Sequence, residues 1–140
     1  MKYDPLKVTR LVASFKQALG RLKQLAKLSF DEFSSDPDRL GSAKYHFIVA
    51  IEAAIDLCNH LIALNDLRVP EDYSDTFRVL GDAAVFPPPP VDALVQMAKF
   101  RNRLVHIYWD VSNRALYDML QDDLGDLDAF LVSLGKVVDE

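Results

Sequence analysis

The chain holds one cysteine, five glycines and no run of about eighteen apolar residues, and each scarcity removes a class of protein. A lone Cys58 excludes an intrachain disulfide and any cysteine-based zinc site. It sits in the apolar-periodic run IVAIEAAIDLCNHLIAL, which is where a small buried hydrophobe belongs. The glycines are scattered, so no phosphate-cradling loop, dinucleotide fingerprint or nucleophile elbow is present. The opening MKYDPLKVTR lacks the apolar stretch of a signal peptide. Together these absences lead to the expectation of a cytoplasmic protein with no membrane association. Excess positive charge is also missing: at a net −5 the chain is unsuited to broad, non-specific nucleic-acid affinity, which needs dense Lys and Arg.

That charge is unevenly spread. Residues 1–28 carry seven basic side chains (Lys2, Lys7, Arg10, Lys16, Arg21, Lys23 and Lys27) against the single acid Asp4, while the remainder holds 9 basic and 20 acidic residues. A basic first helix on an acidic body suits either a polyanion or an acidic partner; it is equally the pattern of a solvated helix face.

At 140 residues the chain fits one domain, 1–140, with a core of its own. Asp4-Pro5 and Asp36-Pro37 each set an N-cap acceptor before a proline at the first helical position. From Asp4, the residues Val8, Leu11, Val12, Phe15, Leu19, Leu22 and Ala26 recur every three or four positions, one stripe of an amphipathic helix. From Pro37 a longer helix puts Tyr45, Ile48, Ile51, Ile55, Cys58 and Ile62 on its core side and continues to about Asp66. A short helix over Ser74–Ala84 follows the break at Pro70, with Phe77 and Leu80 inward. Pro87–Pro90 predict an extended connector. A helix then runs from about Val91 to Leu104 or Val105, and a last one, after Asp110–Asn113, carries Leu116, Leu120, Leu124, Leu127, Leu131 and Leu134. IYWDV is too short and unpartnered to be a strand. The fold class is all-α, an antiparallel helical bundle of four main helices plus one short helix.

Chemistry concentrates in RNRLVHIY, Arg101 to Tyr108, near the end of the helix that begins at about Val91. Asn102 and His106 share a face at i,i+4. Arg101 lies some 140° away on an ideal helix but is long enough to reach across. VHIYW loosens the helix there, so Arg, Asn, His and Tyr can gather round one point. These are the groups phosphodiester chemistry uses. A guanidinium forks onto phosphate oxygens and steadies charge in the transition state. An imidazole takes a proton from a 2′-hydroxyl or gives one to a leaving 5′-oxygen. Asn102 fixes the imidazole tautomer or a phosphate oxygen, and Tyr108 donates a hydrogen bond or stacks on a base.

The spacing R-x-x-x-x-H-x-Y, with Asn after the arginine, resembles the signature of the HepT-like proteins of the HEPN superfamily. Eight arginines, three histidines and five tyrosines in 140 residues give only about 0.006 chance matches. YHFIVAIEAAIDLCNHLIA, LRVPEDYSDTFRVLGDAAVFP, LVQMAKFRNRLVHIYWDV and LYDMLQDDLGDLDAFL also resemble that family, in order, from about Tyr45 to Leu134. The resemblance implies an endoribonuclease toxin of a toxin–antitoxin module, metal-independent and without a cofactor. It implies a homodimer whose two motifs form one RNA cleft, with Arg101, Asn102 and His106 catalytic. A minimal nucleotidyltransferase antitoxin would be its partner and would adenylylate Tyr108, blocking RNA by bulk and charge. The alternative is a non-catalytic HEPN accessory subunit that presents substrate or nucleotide to a nucleotidyltransferase; it has no need of the full Arg, Asn, His and Tyr set.

Glu52, Asp56 and His60 form an i, i+4, i+8 polar line beside the core stripe of the second helix. Either they orient Arg101 or His106, or they are a solvated or intersubunit face. Asp56 and His60 have metal-ligand spacing but no third ligand. His46 is structural in this reading. Trp109 either stacks on a base, covers the cleft or packs at the dimer contact.

Overall fold

The computed structural model describes residues 1–138, apart from the side chains of Pro88, Pro89 and Tyr108. Among the described residues there are seven α-helices, one 3₁₀ turn and no strand: α1 Pro5–Ala26, α2 Phe30–Ser34, α3 Pro37–Leu64, α4 Tyr73–Asp82, α5 Pro88–His106, the 3₁₀ turn Tyr108–Asp110, α6 Asn113–Asp122 and α7 Leu124–Val138. The all-α class and both Asp-Pro starts are as expected. Asp4 accepts from the backbone of Leu6 and Lys7, and Asp36 from that of Asp38. The arrangement departs from four plus one helices in three places, two of which add a helix and one of which moves a helix start.

First, Ser29 and Glu32 form a reciprocal capping box that nucleates the one-turn α2, which Phe33 anchors in the core. Second, the expected last helix is two, broken at Asp123, whose N–H caps α6 by donating to the Met119 carbonyl. Three acids crowd that break. Burial, and then Asp126 and Asp122, push the Asp123 carboxyl above its usual range. Third, the prolines are not all an extended connector. Only Pro87 is extended, as N-cap, and α5 starts at Pro88. The first turn of a helix has no intrahelical use for its N–H groups, and proline's fixed φ already suits it.

α3 is the central helix. It packs along α1 and also meets α2, α4, α5 and α6, while α4 packs against α5 and α7 against α5 and α1. Phe130 of α7 is fully buried and meets Phe15 at 5.4 Å, Phe86 at 5.6 Å and Phe77 at 6.4 Å between ring centres. These contacts tie α1, α4, α7 and the stretch before α5 into one cluster. A window of α3 is long and apolar enough to cross a bilayer, with mean hydropathy 1.8, contrary to the expectation that no segment would be. Its residues Phe47, Ala50, Ile51, Ala54, Leu57, Cys58 and Leu61 are instead the buried heart of the bundle.

Tyr45 departs from the expected core stripe and is 62% exposed. It stands seven and eleven residues before Glu52 and Asp56, close to whole numbers of turns, and so shares their outer face. Its ring packs edge-on to His46, whose Nδ1 lies 2.7 Å from the Ser42 carbonyl. His46 is structural, as expected.

Asp75 anchors the polypeptide between α3 and α4. Asp75 receives Arg68 Nη1 at 2.7 Å and Nη2 at 3.0 Å, and the Glu71 N–H at 2.9 Å. The Arg68 guanidinium, then the Glu71 N–H, hold the Asp75 carboxyl down at about 2. Arg68 also reaches Asp82 at 3.1 Å, so the loop is pinned to both ends of α4. This is what fixes Tyr73, the first residue of α4.

Candidate active site

Arg101 projects from α5 toward α3 and is only 12% exposed, so its charge must be met inside the protein. It is. Glu52 Oε1 accepts from Nε at 3.1 Å and from Nη2 at 2.6 Å. Asn102 Oδ1 accepts from Nη1 at 3.0 Å, and the Tyr73 ring lies 4.8 Å from Cζ. A guanidinium has five N–H donors, so among the described residues one on each of Nη1 and Nη2 is left over. A pocket of about 140 Å³, lined by Glu52, Ile55, Asp56, Tyr73 and Arg101, adjoins these groups. The arrangement can present a fixed cation to an anion at the protein surface. Tyr73 was missed in the sequence, although the run PEDYS ahead of a helix is a capping signal that could have located it.

Asp56, one turn beyond Glu52, lies on the rim and is exposed. Partial desolvation and then the Glu52 charge push its carboxyl above the usual range, against the pull of Lys7 and Arg101. Glu52 and Asp56 therefore do flank Arg101. His60 does not: its Nε2 accepts the Asp4 backbone N–H at 2.8 Å and so moors the start of α1. Asn59 is likewise engaged, accepting from the Thr76 hydroxyl.

The helix ends where the sequence loosens. Ile107 is the C-cap of α5, with φ −138° and ψ 46°, and its N–H donates to the Arg103 carbonyl at 2.8 Å. His106 is thus the last helical residue, and it is exposed. Among the described residues Arg101 and Asn102 touch, and no hydrogen bond joins His106 to either. The Tyr108 backbone begins the 3₁₀ turn, and its side chain lies outside the described residues. Trp109 is 72% exposed on the same turn, with Ile107 at 37% and Val105 at 40% beside it. Among the described residues no group of three or more His, Cys, Asp or Glu is placed to hold a metal ion.

Fold and site together define an all-α bundle that exposes a histidine at a helix end and holds an arginine on three sides beside an open pocket. Residues 15–134 match the model of the ribonuclease HepT-like family, and the chain belongs to that family. It is 26% identical over 120 residues to the mRNA nuclease HepT of Shewanella oneidensis, covering 86% of this chain and 90% of that protein. In fold it is similar to the tri-AMPylated Shewanella oneidensis HEPN toxin in complex with the MNT antitoxin, with a TM-score of 0.85, 24% identity and coverage of 93% and 97% of the two chains. It is equally similar in fold to a cytosolic protein of unknown function, YutE from Bacillus subtilis, at TM-score 0.85 and 19% identity, covering 98% and 92%.

Proposed function

We propose that this chain, one HepT-like domain over 1–140, is a cytoplasmic endoribonuclease toxin that cuts RNA without a metal, using Arg101, Asn102 and His106. The observation that carries this is the Arg101 guanidinium, held by Glu52, Asn102 and Tyr73 with donors left over beside the pocket, inside the R-x-x-x-x-H-x-Y pattern. Its ordering is complete before any phosphate arrives, which is what electrostatic stabilisation of a transition state requires. In the reaction, an imidazole takes the 2′-hydroxyl proton, the 2′-oxygen attacks phosphorus, and the P–O5′ bond breaks as the 5′-oxygen gains a proton. The products are a 2′,3′-cyclic phosphate and a free 5′-hydroxyl.

One protomer offers a single exposed His106, whereas the reaction needs a base and an acid. A homodimer with facing motifs supplies both, and the exposed Val105, Ile107 and Trp109 beside the motif give it an apolar contact. Neutralisation by a minimal nucleotidyltransferase antitoxin through adenylylation of Tyr108 fits the relatives' AMPylated toxin and would place an anion at the cleft. The test is cleavage of a mixed-sequence RNA by purified, unmodified protein in the presence of a chelator. Arg101→Ala and His106→Ala should each abolish cutting while the thermal transition survives. Intact RNA with unmodified wild type across pH 5–9 would overturn the proposal and favour the accessory-subunit alternative.

A further inference from the structure

The strongest unassigned feature is the first helix. Lys2, Lys7, Arg10, Lys16, Arg21 and Lys27 are all exposed, and among the described residues only Lys23 of the seven basic side chains of residues 1–28 forms an ion pair, with Asp128 at 2.8 Å. Leaving six cations unmatched in a chain of net charge −5 is an uneven use of charge, since 21 acids are available to pair with them. Lys7, Arg10 and Arg21 stand at i, i+3 and i+14 on one flank of α1, with Ser14 and Gln17 between them. Those offsets put five polar donors along about 21 Å of helix.

This flank joins the candidate active site. A groove of about 420 Å³ between α1 and α3 is lined by Lys7, Leu11, Asp56, Asn59, His60, Ala63 and Leu64. The pocket beside Arg101 is lined by Asp56 as well, so the two depressions meet at that residue. Asp56 lines one depression with Lys7 and the other with Arg101, and it senses both charges. We infer that the groove between α1 and α3, with the flank of Lys7, Arg10 and Arg21, is an RNA subsite that binds the backbone of the strand flanking the phosphate held at Arg101. Identifying the strand as RNA rests on the ribonuclease reading above. RNA is favoured over an acidic protein because the flank runs into the Arg101 pocket and presents long, separated cations. Such cations suit evenly spaced phosphates, and the groove they border mixes the polar Lys7, Asp56, Asn59 and His60 with Leu11, Ala63 and Leu64, so it offers a protein no continuous apolar seat.

The test uses full-length protein with Lys7, Arg10 and Arg21 all changed to Ala, residues that touch nothing at the reacting phosphate. Binding is measured on the His106→Ala background with a 15-nucleotide single-stranded RNA over 50–300 mM salt. Losing three phosphate contacts should lower the slope of log Kd against log salt by about 2 and weaken binding tenfold or more at 100 mM. Replacement by Lys7→Arg, Arg10→Lys and Arg21→Lys should restore both. In the cleaving protein the triple alanine variant should raise KM for the 15-mer tenfold, leave kcat unchanged and leave a trinucleotide unaffected. Unchanged slope and affinity would overturn the inference, as would unchanged RNA binding with loss of the antitoxin complex, which would give the flank to protein contact. Absence of cleavage by wild type counts against the ribonuclease reading alone, because the salt slope is read without cleavage.

Discussion

Replacing Glu52 separates the stabilising role of its pair with Arg101 from its effect on ligand access. In Glu52→Ala the Arg101 guanidinium, 12% exposed, loses the acceptor of two of its N–H groups. Breaking a fully buried pair costs about 3–5 kcal/mol, and a surface pair is worth about 0–1 kcal/mol. Glu52 is 43% exposed, so water replaces part of what is lost and the expected cost is about 1–2 kcal/mol. For 140 residues the unfolding entropy is about 0.3 kcal/mol/K, so the melting temperature should fall by about 3–7 °C. Glu52→Gln keeps an acceptor and should cost about half as much. The same change should lower both kinetic constants, each for its own reason. Without the carboxylate, an RNA phosphate no longer competes for Arg101, so KM falls. The guanidinium is also less well oriented, so kcat falls about tenfold or more. Melting followed by circular dichroism, and steady-state cleavage, check this. A melting temperature within 1 °C of wild type with both constants unchanged would refute the view that Glu52 orders Arg101.

Three further outcomes follow from the packing. Asp75→Asn should lower stability at pH 7 by about 1–2 kcal/mol, discounted because Arg68 is half exposed. The Asp75 carboxyl is depressed to about 2, so its contribution is full above pH 4 and is lost as pH falls toward 2; urea midpoints of wild type and variant should converge there. Asp56→Asn should do the reverse. A raised carboxyl costs stability above its titration range, so the variant should gain stability at neutral pH and lose that advantage below the usual Asp range. Ala84→Gly should stabilise by about 0.5–1 kcal/mol in the same melts, because Ala84 sits at φ 57° after α4 while Val85 and Ala84 close back onto Leu80 and Gly81.

Local signals carried the helices whose starts are chemically marked. Asp4-Pro5 and Asp36-Pro37 locate α1 and α3 because a cap and a proline are properties of adjacent residues. The break inside the last leucine stripe was hidden, since Leu116 to Leu134 keep their spacing through Asp123 and only tertiary packing bends the chain there. The proline run misled for a related reason: four prolines resemble polyproline, but the last three fit a helix's first turn equally well, and packing of α5 on α4 decides between them. At the site, Arg101, Asn102 and His106 were legible as a motif. Tyr73 was not, because its proximity to Arg101 depends on a loop pinned by Arg68 and Asp75, and no spacing rule encodes that.

By charge balance, the Arg101 of a single protomer should hold an RNA phosphate only weakly. A phosphate about 4 Å from a guanidinium gains about 4 kcal/mol at an effective dielectric near 20, while a carboxylate about 7 Å away takes back more than half of that. Glu52 and Asp56 are two such carboxylates against one cation. A single protomer's pocket is therefore close to neutral toward phosphate, or repels it, unless other cations contribute. Two sources exist within this chain's own chemistry: the Arg101 of a second copy, and the exposed cations of α1 that border the adjoining groove through Lys7. The acids then confer discrimination. They reject an isolated anion such as inorganic phosphate, which meets one motif, and they tolerate a polyanion that engages several cations at once. Inorganic phosphate at 10 mM should accordingly inhibit cleavage far less than a non-hydrolysable oligonucleotide at micromolar concentration. Equal inhibition per phosphate would show that the pocket binds anions one at a time and that the acidic pair has no selective effect.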